Sequence, residues 1–346
     1  MSRARHMIAS LSGGPARIVL AVLACVLVAA IPAIVADAFV LKILTFVGLN
    51  AIVIIGLSLL FGYAGQASLG HAAFIGIGAY TSVFVTMKLG LPWLVGLGAA
   101  VILSGAGGLA LAVPSLRLKG HYLAMATLGF GEIMGVVFVE AVPITGGTNG
   151  LYGIAPASIG PVSFSTPAAA YWLVWAVALG VLVLARNIVR VRPGRAMRAL
   201  HGSELGAQAC GVDTVRVKVQ VFVLSAVLAG VSGALYAQLV GFISPTLFAL
   251  DTSIVLVAMA VLGGTGSLAG PMLAAVALTL IPYVDALVPG LSRGVAETLQ
   301  DWRDDIYGLV IILVMLYVPG GLGGALRRIR TQHGSQSTPE AAGEGS

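Results

Sequence analysis

Charged residues are scarce in this sequence. Asp, Glu, Lys and Arg together make up 9% of its 346 residues, against about 25% in an ordinary soluble domain. Hydrophobic residues make up 58%. A water-soluble fold of this length needs far more polar surface to cover its core. The composition therefore argues against a soluble enzyme or binding domain and indicates a protein that lies in a lipid bilayer.

Cysteine and aromatic residues are also scarce. The two cysteines are Cys25, inside an apolar run, and Cys210, in a basic loop, so they predict neither a disulfide framework nor a metal site. Aromatic residues make up 7% of the chain, whereas glycine occurs 46 times. Small residues allow helix backbones to approach closely inside a bilayer, and this composition is typical of packed membrane helices.

Sites for several kinds of chemistry are missing. The sequence contains no Gly-Lys pair, so the glycine run 263–270 is not a P-loop and the chain has no nucleotide site of this type. The acidic residues Glu297, Asp301, Asp304 and Asp305 have no His nearby, and their spacing indicates a solvated face rather than a metal site. The net charge of +6 comes from basic residues in loops between apolar runs, which argues against a nucleic-acid partner.

Apolar runs of helical length recur along the chain. A bilayer core takes about 20 apolar residues per helix. The sequence therefore predicts an all-α, polytopic helical bundle over residues 18–326, with about ten spans at 18–36, 43–61, 67–87, 92–113, 121–142, 169–185, 219–241, 253–266, 268–288 and 306–326. The first span has basic flanks like a signal peptide, but its apolar region of roughly 19 residues is too long for one. We interpret it as a retained helix.

The positions of Lys and Arg predict the orientation. With both termini in the cytoplasm, the outside segments hold only Lys42, Lys88, Arg293 and Arg303, and the cytoplasmic segments hold the other fifteen of the nineteen basic residues. This is the bias of the positive-inside rule. It predicts a cytoplasmic N-terminus at 1–17, a periplasmic loop at 143–168, a cytoplasmic loop at 186–218 and a disordered cytoplasmic tail at 327–346.

The cytoplasmic loop 186–218 contains start and stop patterns for a helix. Ser203 is a good N-cap and Glu204 suits the first turn. Gly211 is a good terminator. The intervening residues allow about two turns. From the residues alone, this element is equally well a docking helix for another protein or part of a solvated loop whose arginines set the topology.

Five stretches of the sequence together resemble a known family. Glu204, Gly206-Ala207 and Gly211 are similar to the coupling loop of ABC importer permeases. The five stretches together resemble the branched-chain amino acid permeases of the LivH/LivM type, and most closely the LivM branch. The other four stretches are Phe61-Gly62-Tyr63-Ala64-Gly65-Gln66-Ala67-Ser68-Leu69-Gly70-His71, Lys119-Gly120-His121-Tyr122, Thr145-Gly146-Gly147-Thr148-Asn149-Gly150 and Gly263-Gly264-Thr265-Gly266-Ser267-Leu268-Ala269-Gly270-Pro271. Gly206 departs from the family pattern, which has Ala there, and Gly weakens a helix by about 1 kcal/mol.

The resemblance implies a transport subunit, not an enzyme, in a bacterial inner membrane. It implies import of branched-chain or other hydrophobic amino acids by alternating access, beside a second homologous permease. Two partner subunits would bind the ATP, so this chain needs no cofactor, and a periplasmic substrate-binding protein would deliver substrate. Glu204, Gly206, Ala207 and Gly211 would couple the chain to the ATPase. An importer of urea or short amides, or an ion-coupled secondary transporter, remains an alternative.

Three residues are candidates for the substrate path. Glu132 falls near the middle of span 121–142, so it should face the protein interior and have a partner there. It either binds a substrate ammonium group or joins two helices through a hydrogen bond. Gln66 and His71 lie at the end of a span and either pack or contact substrate.

Glycine patterns make two further predictions. The runs 62–70 and 263–270 interrupt apolar sequence and are either tight turns or broken helices beside a cavity. Gly131 with Gly135, and the series Ala226, Gly230 and Ala234, have the small-xxx-small spacing of helix contacts.

Overall fold

The chain folds into packed α-helices with very little strand. A computed structural model describes residues 28, 30–33, 37–115, 120–264, 266–283, 308, 309 and 312. The helices are α1 (Ala38–Leu57), α2 (His71–Val83), α3 (Trp93–Ser115), α4 (His121–Glu140), α5 (Val142–Thr145), α6 (Pro167–Arg190), α7 (Arg192–Gly202), α8 (Glu204–Ala209), α9 (Thr214–Val240), α10 (Leu250–Gly263) and α11 (Ala269–Leu280). Short π-helical turns extend α1 through Ser58–Tyr63 and α2 through Phe84–Lys88.

Six helical segments among the described residues are long and apolar enough to cross a membrane. They are Ala38–Tyr63, Trp93–Pro114, His121–Glu140, Pro167–Arg190, Thr214–Val240 and Pro245–Gly263. The predicted all-α, multi-span architecture is therefore confirmed, while the number of ten spans stays a prediction. Segments 1–17, 18–36, 297–305, 306–326 and 327–346 lie wholly or almost wholly outside the described residues.

Helix α9 lies at the centre of the core and packs against α1, α2 and α3, and glycines allow α9 and α2 to approach closely. A Cβ atom on Gly78 of α2 would collide with the backbone of Gly230 on α9, and one on Gly233 would collide with the carbonyl of Ile75. Ala226 and Ala234 on α9 are fully buried. The helix contact predicted from the small residues of α9 is therefore confirmed.

The predicted boundary between span 169–185 and the loop 186–218 needs correction. Span 169–185 is the longer helix α6, which includes Arg186 and Arg190, because basic side chains stabilise the last turn of a helix and extend to the membrane surface. The loop predicted from residue 186 is thus largely helical. It also contains α7, where Met197 and Leu200 are buried.

The predicted outer loop 143–168 has short structure of its own. Strand β1 (Leu151–Tyr152) pairs antiparallel with β4 (Phe242–Ile243), which follows α9 directly. Strand β2 (Ser158–Ile159) pairs antiparallel with β3 (Val162–Ser163). The β1–β4 pair attaches this loop to the end of α9 that lies away from α8.

Candidate functional site

Helix α8 has the start and stop that the sequence predicts. The Ser203 hydroxyl accepts a hydrogen bond from the backbone N–H of Gly206 at 3.1 Å. Gly211 has φ of +78°, the left-handed conformation that glycine adopts without strain. The N–H of Val212 then donates to the Ala207 carbonyl at 3.0 Å. These bonds cap both ends of a helix of six residues.

Glu204 ties α8 to the first turns of α9. Its carboxylate accepts a hydrogen bond from the Lys218 ammonium group, and the two side chains are 23% and 12% exposed, respectively. The pair fixes the position of α8 relative to a membrane helix that reaches the core. A displacement of α8 would therefore act directly on α9.

The outward face of α8 differs from the one we expected. Ala207 is 3% exposed and faces the chain itself, while Leu205 is 74% exposed. A side chain at Gly206 would meet only Ser203, at 3.4 Å, so space does not require glycine there. Contact of Glu204, Gly206, Ala207 and Gly211 with an ATPase stays a prediction. The large apolar side chain that α8 presents outward is Leu205.

The glycine run after α1 forms a largely buried, non-helical segment, which we call the glycine junction (residues 64–70). Side chains of neighbouring helices accept hydrogen bonds from backbone N–H groups in and next to this segment. The N–H of Leu69 donates to the Thr127 hydroxyl of α4 at 2.9 Å, and just after the junction, in the first turn of α2, the N–H of Ala72 donates to the Ser253 hydroxyl of α10 at 3.0 Å. The segment is held by neighbouring helices, and the cavity that the broken-helix interpretation places beside it stays a prediction.

His71 is fully buried at the end of this junction. Its Nδ1 lies 3.0 Å from the Ser68 hydroxyl and its Nε2 lies 2.7 Å from the Ser225 hydroxyl of α9. One nitrogen of a neutral imidazole donates and the other accepts, and hydroxyls can do either, so both contacts are satisfied. These contacts indicate a structural role for His71.

Gln66 is also buried, at 7% exposure. Its backbone N–H donates to the Leu60 carbonyl at 3.0 Å and so closes the π-helical end of α1. The substrate contacts suggested for Gln66 and His71 stay predictions.

The glycine junction also lies against α7. Gly65 has φ of +69°, and a Cβ atom there would lie 2.8 Å from Nδ1 of His201 on α7. The junction therefore lies between α7 on one side and α4, α9 and α10 on the other. Sequence reasoning missed this arrangement because no local pattern pairs residue 65 with residue 201.

Glu132 lies on the outward face of α4. It is exposed, and its carboxylate makes no hydrogen bond or ion pair with any residue that the structure describes. The expectation of an interior position with a partner is therefore wrong within this part of the chain. The reason is that α4 is peripheral and buries only the opposite face, with Leu123, Thr127 and Phe138.

The helix contact predicted from Gly131 and Gly135 is not made by Gly135 within the described residues. A Cβ atom on Gly135 would meet nothing within 4 Å, and one on Gly131 would meet the Gly70 Cα at 3.7 Å. The glycine spacing on α4 is thus not explained by packing inside the described chain.

Comparison with known proteins gives consistent matches. A family model described as "Branched-chain amino acid transport system / permease component" matches residues 39–315. The chain is 32% identical over 291 residues to the high-affinity branched-chain amino acid transport system permease protein LivM of Salmonella typhimurium, and equally to LivM of Escherichia coli. Those alignments cover 78% of this chain and 66% of each relative, so the chain spans slightly less than two thirds of their length.

A second kind of permease also matches. The chain is 27% identical over 297 residues to the permease protein LivH of Escherichia coli, with 79% of this chain and 91% of the relative covered. No solved structure matches the chain.

Proposed function

The chain belongs to the family of branched-chain amino acid transport system permease components, and we propose on this basis that it is the permease subunit of an ATP-driven importer. Its substrates are branched-chain or other hydrophobic amino acids. The similarity to LivM at 32% identity supports this assignment, as does a chain of packed apolar helices with several candidate membrane spans.

The assembly we propose contains four kinds of subunit. This chain pairs with a second, homologous permease, and its similarity to both LivM and LivH supports such a pair. Two ATP-binding subunits contact the cytoplasmic side, and a periplasmic binding protein delivers the amino acid. The complex lies in a bacterial inner membrane and works by alternating access.

The capped helix α8 is the observation that carries the coupling part of this proposal. An isolated helix of six residues is not stable in water, yet α8 has a hydrogen-bonded cap, a glycine terminator and an ion pair to α9. It presents the exposed Leu205, and Arg195, Arg198 and Arg216 lie nearby in sequence. Closure of the ATP-binding subunits would move α8, and Lys218 would transmit that motion to α9.

Uptake by a deletion strain tests the proposed function. Cells that lack the transporter receive the complete set of genes, and uptake of labelled leucine, urea and acetamide is compared. We expect leucine uptake that is lost when the ATP-binding subunit carries an inactive nucleotide site. Uptake of urea or acetamide without leucine would overturn the substrate class. Leucine uptake that is independent of ATP but dependent on an ion gradient would favour a secondary transporter.

A further inference from the structure

Helix α4 has two clearly different faces. Leu123, Thr127 and Phe138 pack against the rest of the chain. The opposite face carries Tyr122, Met125 and Val136, which are 71%, 67% and 62% exposed. Glu132 lies on the outward side, one turn from Val136, because residues four apart are neighbours on a helix surface.

The depth of Glu132 makes this face unusual. It lies eleven residues from one end of α4 and eight from the other, which places it about 16 Å along a span that crosses a core of about 30 Å. Among the described spans, the other acidic and basic residues lie within the first or last five residues, except Asp251, which is the seventh residue of its span. A charge at this depth is costly in lipid and is normally covered by protein or water.

The exposed face of helix α3 provides a comparison for the outward face of α4. Its exposed side chains are all apolar, and Ile102, near its middle, is 69% exposed. The outward face of α4 breaks that pattern at its centre, where lipid tolerates charge least. The two faces therefore have different surroundings in the membrane.

Space around Glu132 is also open. Gly129 and Gly135 precede and follow it by three residues, and a Cβ atom on either would meet nothing within 4 Å. Residues three apart lie on the same side of a helix. Among the described residues, no side chain therefore covers the helix surface on either side of the carboxylate, and small residues allow another helix to approach closely there.

From this geometry we infer that the outward face of α4 lines the substrate path at the boundary with the second permease, and that the Glu132 carboxylate binds the ammonium group of the amino acid in transit. The inference rests on the proposed function and adds a substrate contact to it. Urea and acetamide are neutral and have no cation for this carboxylate. The charge therefore favours an α-amino acid over a short amide as substrate.

Cysteine accessibility in the complete complex tests the location of this face. In a chain with Cys25→Ser and Cys210→Ser, Val136→Cys is compared with Ile102→Cys, a control of similar exposure on α3. We expect a water-soluble methanethiosulfonate reagent to modify Val136→Cys at least tenfold faster, and leucine delivered by the binding protein to slow that reaction. Equal rates at the two positions would overturn the inference that α4 lines a hydrated path.

Substitution of Glu132 tests the contact itself. We expect Glu132→Gln to reduce leucine uptake at least tenfold while complex assembly and ATP hydrolysis stay within twofold of wild type. Glu132→Asp, which keeps the charge, should recover part of the uptake. The control Glu140→Gln lies at the end of the same helix and should transport normally.

The outcomes separate this inference from the proposed function. Normal uptake by Glu132→Gln would overturn the contact between Glu132 and the substrate. A loss of assembled complex that matches the loss of uptake would also overturn it, because that pattern indicates a hydrogen bond between helices. If the wild-type complex takes up no leucine at all, the proposed function fails first.

Discussion

Nε2 of His71 lies 2.7 Å from the hydroxyl oxygen of Ser225, and this buried contact joins the glycine junction to α9. Helix α9 begins just after α8 and carries Lys218, the partner of Glu204. The other side of the junction holds Thr127 of α4. Separate polar contacts thus join α8 to α9, α9 to the glycine junction, and the junction to α4, the helix that carries Glu132.

The His71–Ser225 contact should stabilise the folded chain. Ser225→Ala leaves a buried ring nitrogen without its partner, which costs about 1–3 kcal/mol in soluble proteins and closer to 0.6 kcal/mol in measured membrane cases. We expect a lower midpoint of thermal unfolding for the purified complex. Ser163→Ala, an exposed position on β3, is the control. Equal midpoints for both variants would contradict the structural role of His71.

The close packing of α2 and α9 should be sensitive to a single methyl group. Gly233→Ala places a Cβ atom against the Ile75 carbonyl, so the two helices must separate. Overpacking of this kind lowers the free energy of unfolding by about 1–3 kcal/mol. We therefore expect much less folded complex in membranes. Gly180→Ala on α6 is a matched control because nothing lies within 4 Å of its added Cβ. That variant should accumulate normally, and equal loss in both would argue against the α2–α9 contact.

The native cysteine after α8 offers a test of orientation. Cys210 is exposed, and the charge distribution predicts that it lies in the cytoplasm. In a Cys25→Ser chain, a membrane-impermeant maleimide should label Cys210 in inside-out vesicles and not in intact spheroplasts. In a chain that also carries Cys210→Ser, a cysteine at Ser203 should behave like Cys210, while one at Ser163 should be labelled only from outside. Labelling of Ser203→Cys from outside would refute the predicted topology.

Sequence patterns predicted those features that depend on local chemistry. The apolar length of α4 and the small residues of α9 act over a few neighbouring residues, and so do the Ser203 cap and the Gly211 terminator. The structure confirms each of these elements. Helix α7 was missed although its pattern is visible, because Met197 and Leu200 are buried at helical spacing between exposed arginines.

Features that depend on distant residues were not predictable in this way. The expectation for Glu132 assumed that a mid-span acid faces the interior of its own chain, whereas α4 is peripheral and turns it outward. The contact of Gly65 with His201, and the inward position of Ala207, depend on how α7 folds back against the junction. Only the packed structure determines which face of a short helix remains exposed.

Helix α8 yields the prediction that bears most directly on energy coupling. Leu205 is 74% exposed in the chain, so Leu205→Ser should leave folding and membrane insertion unchanged. If this side chain occupies an apolar pocket of the ATP-binding subunit, its loss removes about 1.5–3 kcal/mol of binding free energy. We expect at least a tenfold loss in copurified ATP-binding subunit and a matching loss of ATP-dependent leucine uptake. Ala209→Ser, also exposed on α8, is the control and should behave like wild type.

Two further variants should disturb the packing and the C-terminal cap of α8 rather than its outward face. Ala207→Trp cannot fit at a position that is 3% exposed, so it should lift α8 from α7. Gly211→Val forces a β-branched residue to adopt φ of +78°, which costs roughly 1–2 kcal/mol and weakens the C-terminal cap. Both should insert normally, since neither lies in a membrane span, yet both should lose ATP-dependent uptake. If these two variants and Leu205→Ser all keep wild-type uptake and retain the ATP-binding subunit, α8 is not the coupling element. An importer driven by an ion gradient then becomes the better hypothesis.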